Sequence, residues 1–185
     1  MYLLRHGETA WNREGRFQGQ IDIPLNDRGL SQAREMAAAA ANWNPTAIYS
    51  SPLRRTMQVA ETLSHEVELQ VTPEPRLKEL DLGKLDGITG DVMRSKWATT
   101  YDAWRNNPGH VVMPGGESLA HLQNRAWQAI LDMERTHIED DVLLVVSHNF
   151  AIRTIITRIL GMPWSHFHNM YLNLASVCML ESNNR

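Results

Sequence analysis

Arg5 and His6 follow directly on the apolar run Tyr2-Leu3-Leu4, and Gly7 comes next. So short a run makes only a stub of strand, and it stops abruptly on a cation and an imidazole. In a parallel α/β sheet, ligands bind just beyond the carboxyl ends of the strands. Gly7 lets the backbone turn sharply beside whatever binds there. Far along the chain, Val142-Leu143-Leu144-Val145-Val146-Ser147 reads as a second buried strand, and it also ends in a histidine, His148. Arg54 and Arg55 stand early in a helix that follows the strand-like Ala47-Ile48-Tyr49-Ser50. Guanidinium groups match phosphate oxygens by bidentate, charge-assisted hydrogen bonds. A nearby helix N-terminus adds unsatisfied N–H groups and a favourable dipole. Gathered at one sheet edge, these residues describe a small oxyanion pocket.

The elements that must position them alternate between strand and helix. Residues 13–26, with Gly15, Gly19 and Pro24, read as a loop. Asn26 and Asp27 are candidate caps for a helix from about Arg28 to Asn42, with Leu30, Ala33, Ala37 and Ala41 along one side. Ser51-Pro52 reads as N-cap and first helical position of a helix to about Ser64, and Glu68 to Val71 as the next strand. Residues 76–116 carry Gly83, Gly87, Gly90, Pro108, Pro114, Gly115 and Gly116, with short helical pieces around Asp91–Trp97 and Tyr101–Asn106. A stretch that long between core elements is expected to be a lid-like insertion. From Glu117 to about Thr136, apolar residues recur at helical spacing. After the Val142–Val146 strand, Ile152, Ile155, Ile156, Ile159 and Leu160 form the expected buried face of another helix. Met170–Leu174 and Ser176–Leu180 are candidate paired edge strands. The order predicts an α/β protein, a three-layer α/β/α sandwich with a mostly parallel central sheet.

With 185 residues the chain is expected to be one domain, 1–185, large enough for a sheet covered on both faces. Charged residues make up 21% and the net charge is −3, which gives no global reason to expect nucleic acid or an anionic membrane as partner. Any affinity for anions must come from a local cluster of arginines. The lone cysteine, Cys178, excludes an internal disulfide and a cysteine-based metal cage, and it reads as a small buried hydrophobe. No signal-peptide pattern and no bilayer-length apolar stretch occurs, so the expectation is a cytoplasmic protein.

Several segments together resemble the histidine phosphatase, or phosphoglycerate-mutase-like, superfamily. Leu4-Arg5-His6-Gly7-Glu8-Thr9-Ala10-Trp11-Asn12 is similar to its N-terminal signature, and Arg16 to Leu25 to the loop that follows. Ser50-Ser51-Pro52-Leu53-Arg54-Arg55 resembles the family's serine-x-leucine-x-arginine helix start, whose spacing selects Arg55 over Arg54. Leu77 to Gly83 resembles the segment that carries an acid/base glutamate, Glu79. Pro114-Gly115-Gly116-Glu117-Ser118 and Val146-Ser147-His148 complete the set, in the family's order over nearly the whole chain.

The resemblance implies a phosphomonoesterase, expected to be metal-independent and without cofactor, that acts on a small phosphorylated metabolite. His6 would attack phosphorus and become a phosphohistidine, dividing one hard displacement into two. Arg5, Arg55 and His148 would surround the transferring oxygens, His148 acting best as a cation favoured by the phosphate dianion. Asn12 would add a neutral donor, with Gln18, Gly19 and Asn149 also at the substrate. Glu79 would protonate the leaving oxygen and then take a proton from water.

Departures from the family pattern lie close to the site. Asn149 and Phe150 stand where two glycines are usual, Leu85-Asp86 replaces a tryptophan–glutamate pair, and Thr56 stands where alanine is common. The expectation is that Asn149 brings its amide near the phosphate and that Phe150 narrows the pocket. The alternatives are a phosphoglycerate mutase and a non-enzymatic phosphoanion-binding module. Dedicated mutases of the family are longer, which favours hydrolysis, and the retained His6 and arginines disfavour the binding module. A homodimer is compatible with the sequence. His166 and His168 have a spacing that suits a metal but no acidic or cysteine partner nearby. His65, His110, His121 and His137 are expected to face solvent.

Overall fold

Leu3 and Leu4 are both fully buried, on opposite faces of strand β1 (Tyr2–Arg5). Successive strand residues point to opposite sides. Leu3 therefore enters a core cluster with Leu143, Val145, Leu122 and Ile152, and Leu4 a second one with Ile48, Leu144, Val146, Ala33 and Val59. Burial on both faces is what a strand inside a helix-covered parallel sheet requires. The computed structural model describes residues 1–181. Among them, β1 joins β2 (Ala47–Ser50), β3 (Val71–Pro73), β4 (Leu143–Ser147) and β5 (Val177–Met179) in the order β3-β2-β4-β1-β5. All neighbours are parallel except β5, which runs antiparallel to β1.

Helices α2 (Asp27–Ala40) and α3 (Arg54–Val67) bury their apolar sides in the Leu4 cluster. Helices α6 (Leu119–Thr136) and α7 (Asn149–Ile159) bury theirs in the Leu3 cluster. This is the expected three-layer sandwich. A short α1 (Ala10–Arg13) and the pair α4 (Gly90–Lys96) and α5 (Ala98–Asn106) complete the helices. The N-caps agree with helix-start chemistry: Asn26 Oδ1 accepts from Gly29 N–H at 2.9 Å and Ser118 Oγ from His121 N–H at 3.3 Å.

Some boundaries differ from the sequence expectation. Helix α3 starts at Arg54, because Ser51 N–H is held by the Val146 carbonyl at 3.0 Å and keeps the chain extended past Pro52. Its first turn is capped from outside by Asp22, whose Oδ1 accepts from Arg54 N–H at 2.6 Å. The helix then runs on to Val67 and ends in the left-handed Glu68, so β3 cannot begin before Val71. Pro73 is tolerated there because β3 is an edge strand. In α7, Ile152 and Ile155 are buried and Ile156 partly so, as the periodicity predicts, but Ile159 and Leu160 are exposed, and Arg153, Thr154 and Thr157 are buried as well. Residues 170–174 form no strand; their backbone instead accepts a side-chain donor from Arg5 through the Leu172 carbonyl. Cys178, on β5, is half-buried rather than enclosed.

The segment 76–116 is no loose flap. Leu77, Leu80, Leu82, Leu85, Met93 and Met113 are buried in the same cluster as α6 and α7. Gly83 and Gly116 let it close. A Cβ on Gly116 would lie 2.1 Å from the Asp81 carbonyl oxygen, and Gly83 adopts φ 52°, where a Cβ would lie 2.4 Å from the Pro114 carbonyl oxygen.

Candidate active site

The register of β1, β4 and β2 sets the site. Arg5 pairs with Ser147 and Ser50 with Val146, so the residues that follow each strand emerge side by side. The rings of His6 and His148 lie 5.2 Å apart, centroid to centroid, at 63°. His6 is buried, and its Nδ1 pairs with the Gly7 carbonyl at 2.7 Å. A carbonyl can only accept, so Nδ1 carries the proton and Nε2 keeps its lone pair.

His148 has the opposite tautomer. The Nε–H of Arg55 donates to its Nδ1 at 3.2 Å, so the proton sits on Nε2, 2.8 Å from Ser51 Oγ. Both imidazoles are pushed well below the usual range by burial, with Arg55 opposing the cation in each case. The donor that fills Nδ1 and the dry surroundings favour a neutral ring in this structure, whereas the cationic His148 expected above is the state that a bound phosphate dianion would favour.

Arg55 is fully buried on the first turn of α3, whereas Arg54 is exposed. Its Nη1 donates to the Ile21 carbonyl at 3.0 Å and its Nη2 to the Gly19 carbonyl at 2.7 Å. Gln18, with its amide oriented to satisfy its neighbours, accepts at Oε1 from Arg55 Nη1 and Nε, each at 3.1 Å, and donates from its NH₂ to Thr9 Oγ1 at 2.6 Å. Burial pulls the Arg55 guanidinium down to about 10, with Glu79 acting against that shift. Arg5 donates through Nη1 to the Leu172 carbonyl.

Glu79 is buried at the N-terminus of α7. Its Oε1 accepts from the N–H groups of Leu80 (2.9 Å) and Ala151 (3.2 Å), and its Oε2 from Phe150 (3.1 Å). These donors favour the anion, but burial outweighs them and raises the carboxyl above its ordinary value. A buried carboxyl raised in this way can hold a proton for delivery.

Sequence expectation and geometry part company at the smaller residues. Asn12 closes a capping box with Thr9, its Oδ1 accepting from Thr9 N–H at 3.1 Å and Thr9 Oγ1 at 3.0 Å, which leaves its NH₂ as the group available to a ligand. Gly19 serves Arg55 through its carbonyl, and its N–H donates to Asp86 Oδ1 at 2.6 Å. Asn149 is the first residue of α7, half-buried, and its side chain bonds no described residue. Phe150 turns toward Trp104, 5.5 Å between centroids, and stacks at 6.1 Å on Phe167. It thereby joins α7 to α5 and walls a small apolar cavity with Phe17, Leu82, Leu85, Met93 and Met113.

Several supporting residues had no signal in the sequence reading. Arg125, on α6, donates to the carbonyls of Arg76 and Lys78 at 2.7 Å and of Glu79 at 2.8 Å, while Glu117 accepts from its Nε at 3.1 Å. Thr9 and Ser51, present in the sequence as members of the motifs, support the site through Gln18 and His148 respectively. His137, expected in solvent, is half-buried between Tyr49 Oη (3.0 Å) and Asp141 Oδ2 (2.9 Å). His168 Nε2 is occupied by the Trp104 carbonyl at 2.7 Å, and among the described residues no group of three or more His, Cys, Asp or Glu side chains is placed to hold a metal.

Paired imidazoles, guanidinium groups and a protonable carboxyl at parallel strand ends are the features of a phosphoryl-transferring α/β enzyme that works through histidine. The chain belongs to the histidine phosphatase superfamily (branch 1), whose sequence profile matches residues 1–185. It is 32% identical over 185 residues to phosphoserine phosphatase 1 of Hydrogenobacter thermophilus, covering 100% of this chain and 87% of that protein. It is 36% identical over 185 residues to a probable phosphoglycerate mutase GpmB of Enterobacter sp. strain 638, covering 98% of this chain and 84% of the relative. A mycobacterial glucosyl-3-phosphoglycerate phosphatase solved with VO3 superposes with a TM-score of 0.87 at 28% identity, over 96% of this chain and 88% of that one.

Proposed function

We propose that this chain hydrolyses small phosphate monoesters through a covalent phosphohistidine on His6. The observation that carries the reading is the bond from His6 Nδ1 to the Gly7 carbonyl, which leaves Nε2 as the free nucleophilic nitrogen beside Arg5 and Arg55. In the first step Nε2 forms the N–P bond as the ester P–O bond breaks, and Glu79 gives its proton to the departing oxygen. In the second, water attacks phosphorus, the N–P electrons return to Nε2, and Glu79 takes the proton back. Arg5 and Arg55, with the NH₂ of Asn12, hold the equatorial oxygens, where positioning and charge stabilisation dominate. His148, Gln18 and Gly19 keep Arg55 aimed, and Asn149 lies at the edge of the phosphate site.

The relatives named phosphoserine phosphatase and glucosyl-3-phosphoglycerate phosphatase support a small phosphorylated metabolite as substrate. The relative named a probable mutase supports a second outcome from the same intermediate, return of the phosphoryl group to a bound acceptor. None of the described helices is long and apolar enough to cross a membrane.

Rapid quench with ³²P-labelled ester tests the reading. Label should appear on His6 by peptide mapping, stable in alkali and lost in acid. Label on another residue, or full turnover by His6→Ala, overturns it. Inorganic phosphate as the end product separates hydrolysis from transfer to an acceptor.

A further inference from the structure

Arg153 sits in α7, two residues beyond Ala151, whose N–H binds Glu79. It is only 7% exposed. Its Nη2 donates to the Phe167 carbonyl, and its guanidinium lies over the Phe167 ring at 4.0 Å and the Phe150 ring at 5.8 Å. No carboxylate of a described residue forms an ion pair with it, and its Nε is buried with no hydrogen-bond partner. Arg5 shows the same pattern: Nη1 is spent on Leu172, and Nε is buried and bare. Among the described residues these are the side-chain polar atoms left in that condition. A buried cationic donor without an acceptor is costly, and such groups in folded proteins call for an explanation.

The two orphan donors share one dry region. Arg5 and Glu79 both act on the Arg153 guanidinium, which burial lowers to about 10. Arg5, Arg55 and Arg153 have no carboxylate hydrogen-bonded to them; Asp22 and Asp86, which face Arg55, bond the backbone N–H groups of Arg54 and Gly19 instead. With Glu79 protonated for its role as acid, no carboxylate acts on Arg5 or Arg153, while Asp22 and Asp86 act on Arg55. A phosphate ester brings a charge of about −2. Arg5 and Arg55 are the cations placed for the phosphate, and Arg153, whose guanidinium has only a backbone carbonyl for partner, keeps a single positive charge that one carboxylate matches. Arg153 lies on the same helix as the amides that hold Glu79, so that charge stands on the side of the leaving oxygen.

We propose that Arg153 is a specificity-determining residue that binds a carboxylate carried by the leaving group, making phosphate esters of small hydroxy acids the preferred substrates. The proposal rests on the hydrolase reading given above. Phe150 and Phe167 hold the guanidinium plane so that its fork meets the carboxylate without first being ordered.

The test compares 3-phosphoglycerate with glycerol 1-phosphate, which differ only in a carboxylate against a hydroxymethyl group. Wild-type kcat/KM should favour 3-phosphoglycerate on the order of 10- to 100-fold, the range for a hydrogen-bonded charged partner. Arg153→Met should bring that ratio close to one, and Arg153→Lys should recover part of it. The ratio on a single preparation is independent of the folded fraction, so a destabilised variant still reports. A wild-type ratio near one, or an Arg153→Met ratio equal to wild type, overturns the proposal. Absence of turnover on both esters would count against the hydrolase reading alone. The dissociation constants of the same two esters, measured by calorimetry on wild type and Arg153→Met, then decide the role of Arg153: selective weakening of 3-phosphoglycerate supports it, and equal weakening overturns it.

Discussion

Burial acts in opposite directions on the two kinds of acid–base group in this site. It lowers His6 and His148 and raises Glu79, so near neutral pH the imidazoles are uncharged, and the carboxyl keeps its proton to a higher pH than an ordinary glutamate. Unfolded imidazoles take up a proton near pH 6.5, while the native ones resist until well below it. Their contribution to stability is therefore complete above about pH 6.5 and is lost as the pH falls beneath that value. Glu79 has the other sign: its contribution is present below the unfolded carboxyl value and fades as pH rises through the raised one. The imidazole effect should win between pH 7 and 5, with each ring contributing up to about 2 kcal/mol over that interval. Urea unfolding should show wild type losing stability from pH 7 to pH 5 and His6→Asn losing clearly less; equal losses would contradict the assignment. The raised carboxyl also sets a kinetic expectation. Glu79→Gln cannot supply a proton, so phosphoenzyme formation should fall by about 10²–10⁴ with an alkyl ester, whose leaving oxygen needs one. With p-nitrophenyl phosphate the fall should be slight. Equal slowing of both esters in single-turnover bursts would show that Glu79 serves binding instead.

The elements were legible in the sequence where local pattern and tertiary contact agree. β1 and β4 read correctly because both faces are buried, so an unbroken apolar run is the whole signal. The start of α3 misled because Pro52 is a valid first helical residue in isolation, while the bond from Ser51 N–H to the Val146 carbonyl is a contact with a distant strand. In α7 the apolar stripe overran: Thr154 and Thr157 satisfy their hydroxyls on the Ala151 and Arg153 carbonyls and so tolerate burial. The least legible element was the loop that carries Glu79. Its shape depends on Arg125, which gathers the carbonyls of Arg76, Lys78 and Glu79, and on Glu117, which pairs with Arg125 and accepts from Asp81 N–H at 3.0 Å. The Pro114–Ser118 motif thus has a structural meaning that its own residues do not reveal. Arg125→Met would leave those carbonyls and the Glu117 carboxylate unpaired in a mostly buried place. It should cost about 3 kcal/mol, the low end for breaking a buried pair because the partners keep some solvent contact. If the loop positions the acid, the variant's residual activity should fall more for alkyl esters than for p-nitrophenyl phosphate. A uniform fall would separate the clamp from proton delivery.

At the scale of the whole molecule, the strand-end histidines and Arg55 could be found from sequence because sheet topology alone brings them together. Arg125 and Arg153 could not, since each acts through contacts that only the closed structure creates. The same holds for the buried side chains of the segment 76–116, which the glycines and prolines of the expected lid-like insertion do not announce. Leu77, Leu80, Leu82 and Leu85 are buried with α6 and α7, so residues 77–85 should exchange amide hydrogens only when the protein unfolds globally. Helix α5 differs, because none of its residues is buried, and Trp104 packs it against Phe150 and Phe167. Phe150 stands where the pattern it resembles has a glycine, and a glycine could not make this aromatic contact. Cutting it should loosen α5 without loosening the acid-bearing loop. In Phe150→Gly, amide exchange over residues 98–106 should accelerate on the order of 10-fold or more, as expected when about 1.4 kcal/mol or more of local packing is lost. A change in the global unfolding free energy would shift every globally protected amide together, so protection is to be compared between α5 and residues 77–85 within one sample. Acceleration confined to α5 would identify it as the part of the molecule that opens over the site, with Phe150 as its latch. Equal acceleration in both regions would instead make Phe150 a core residue of the common fold, and α5 would then open only with the rest.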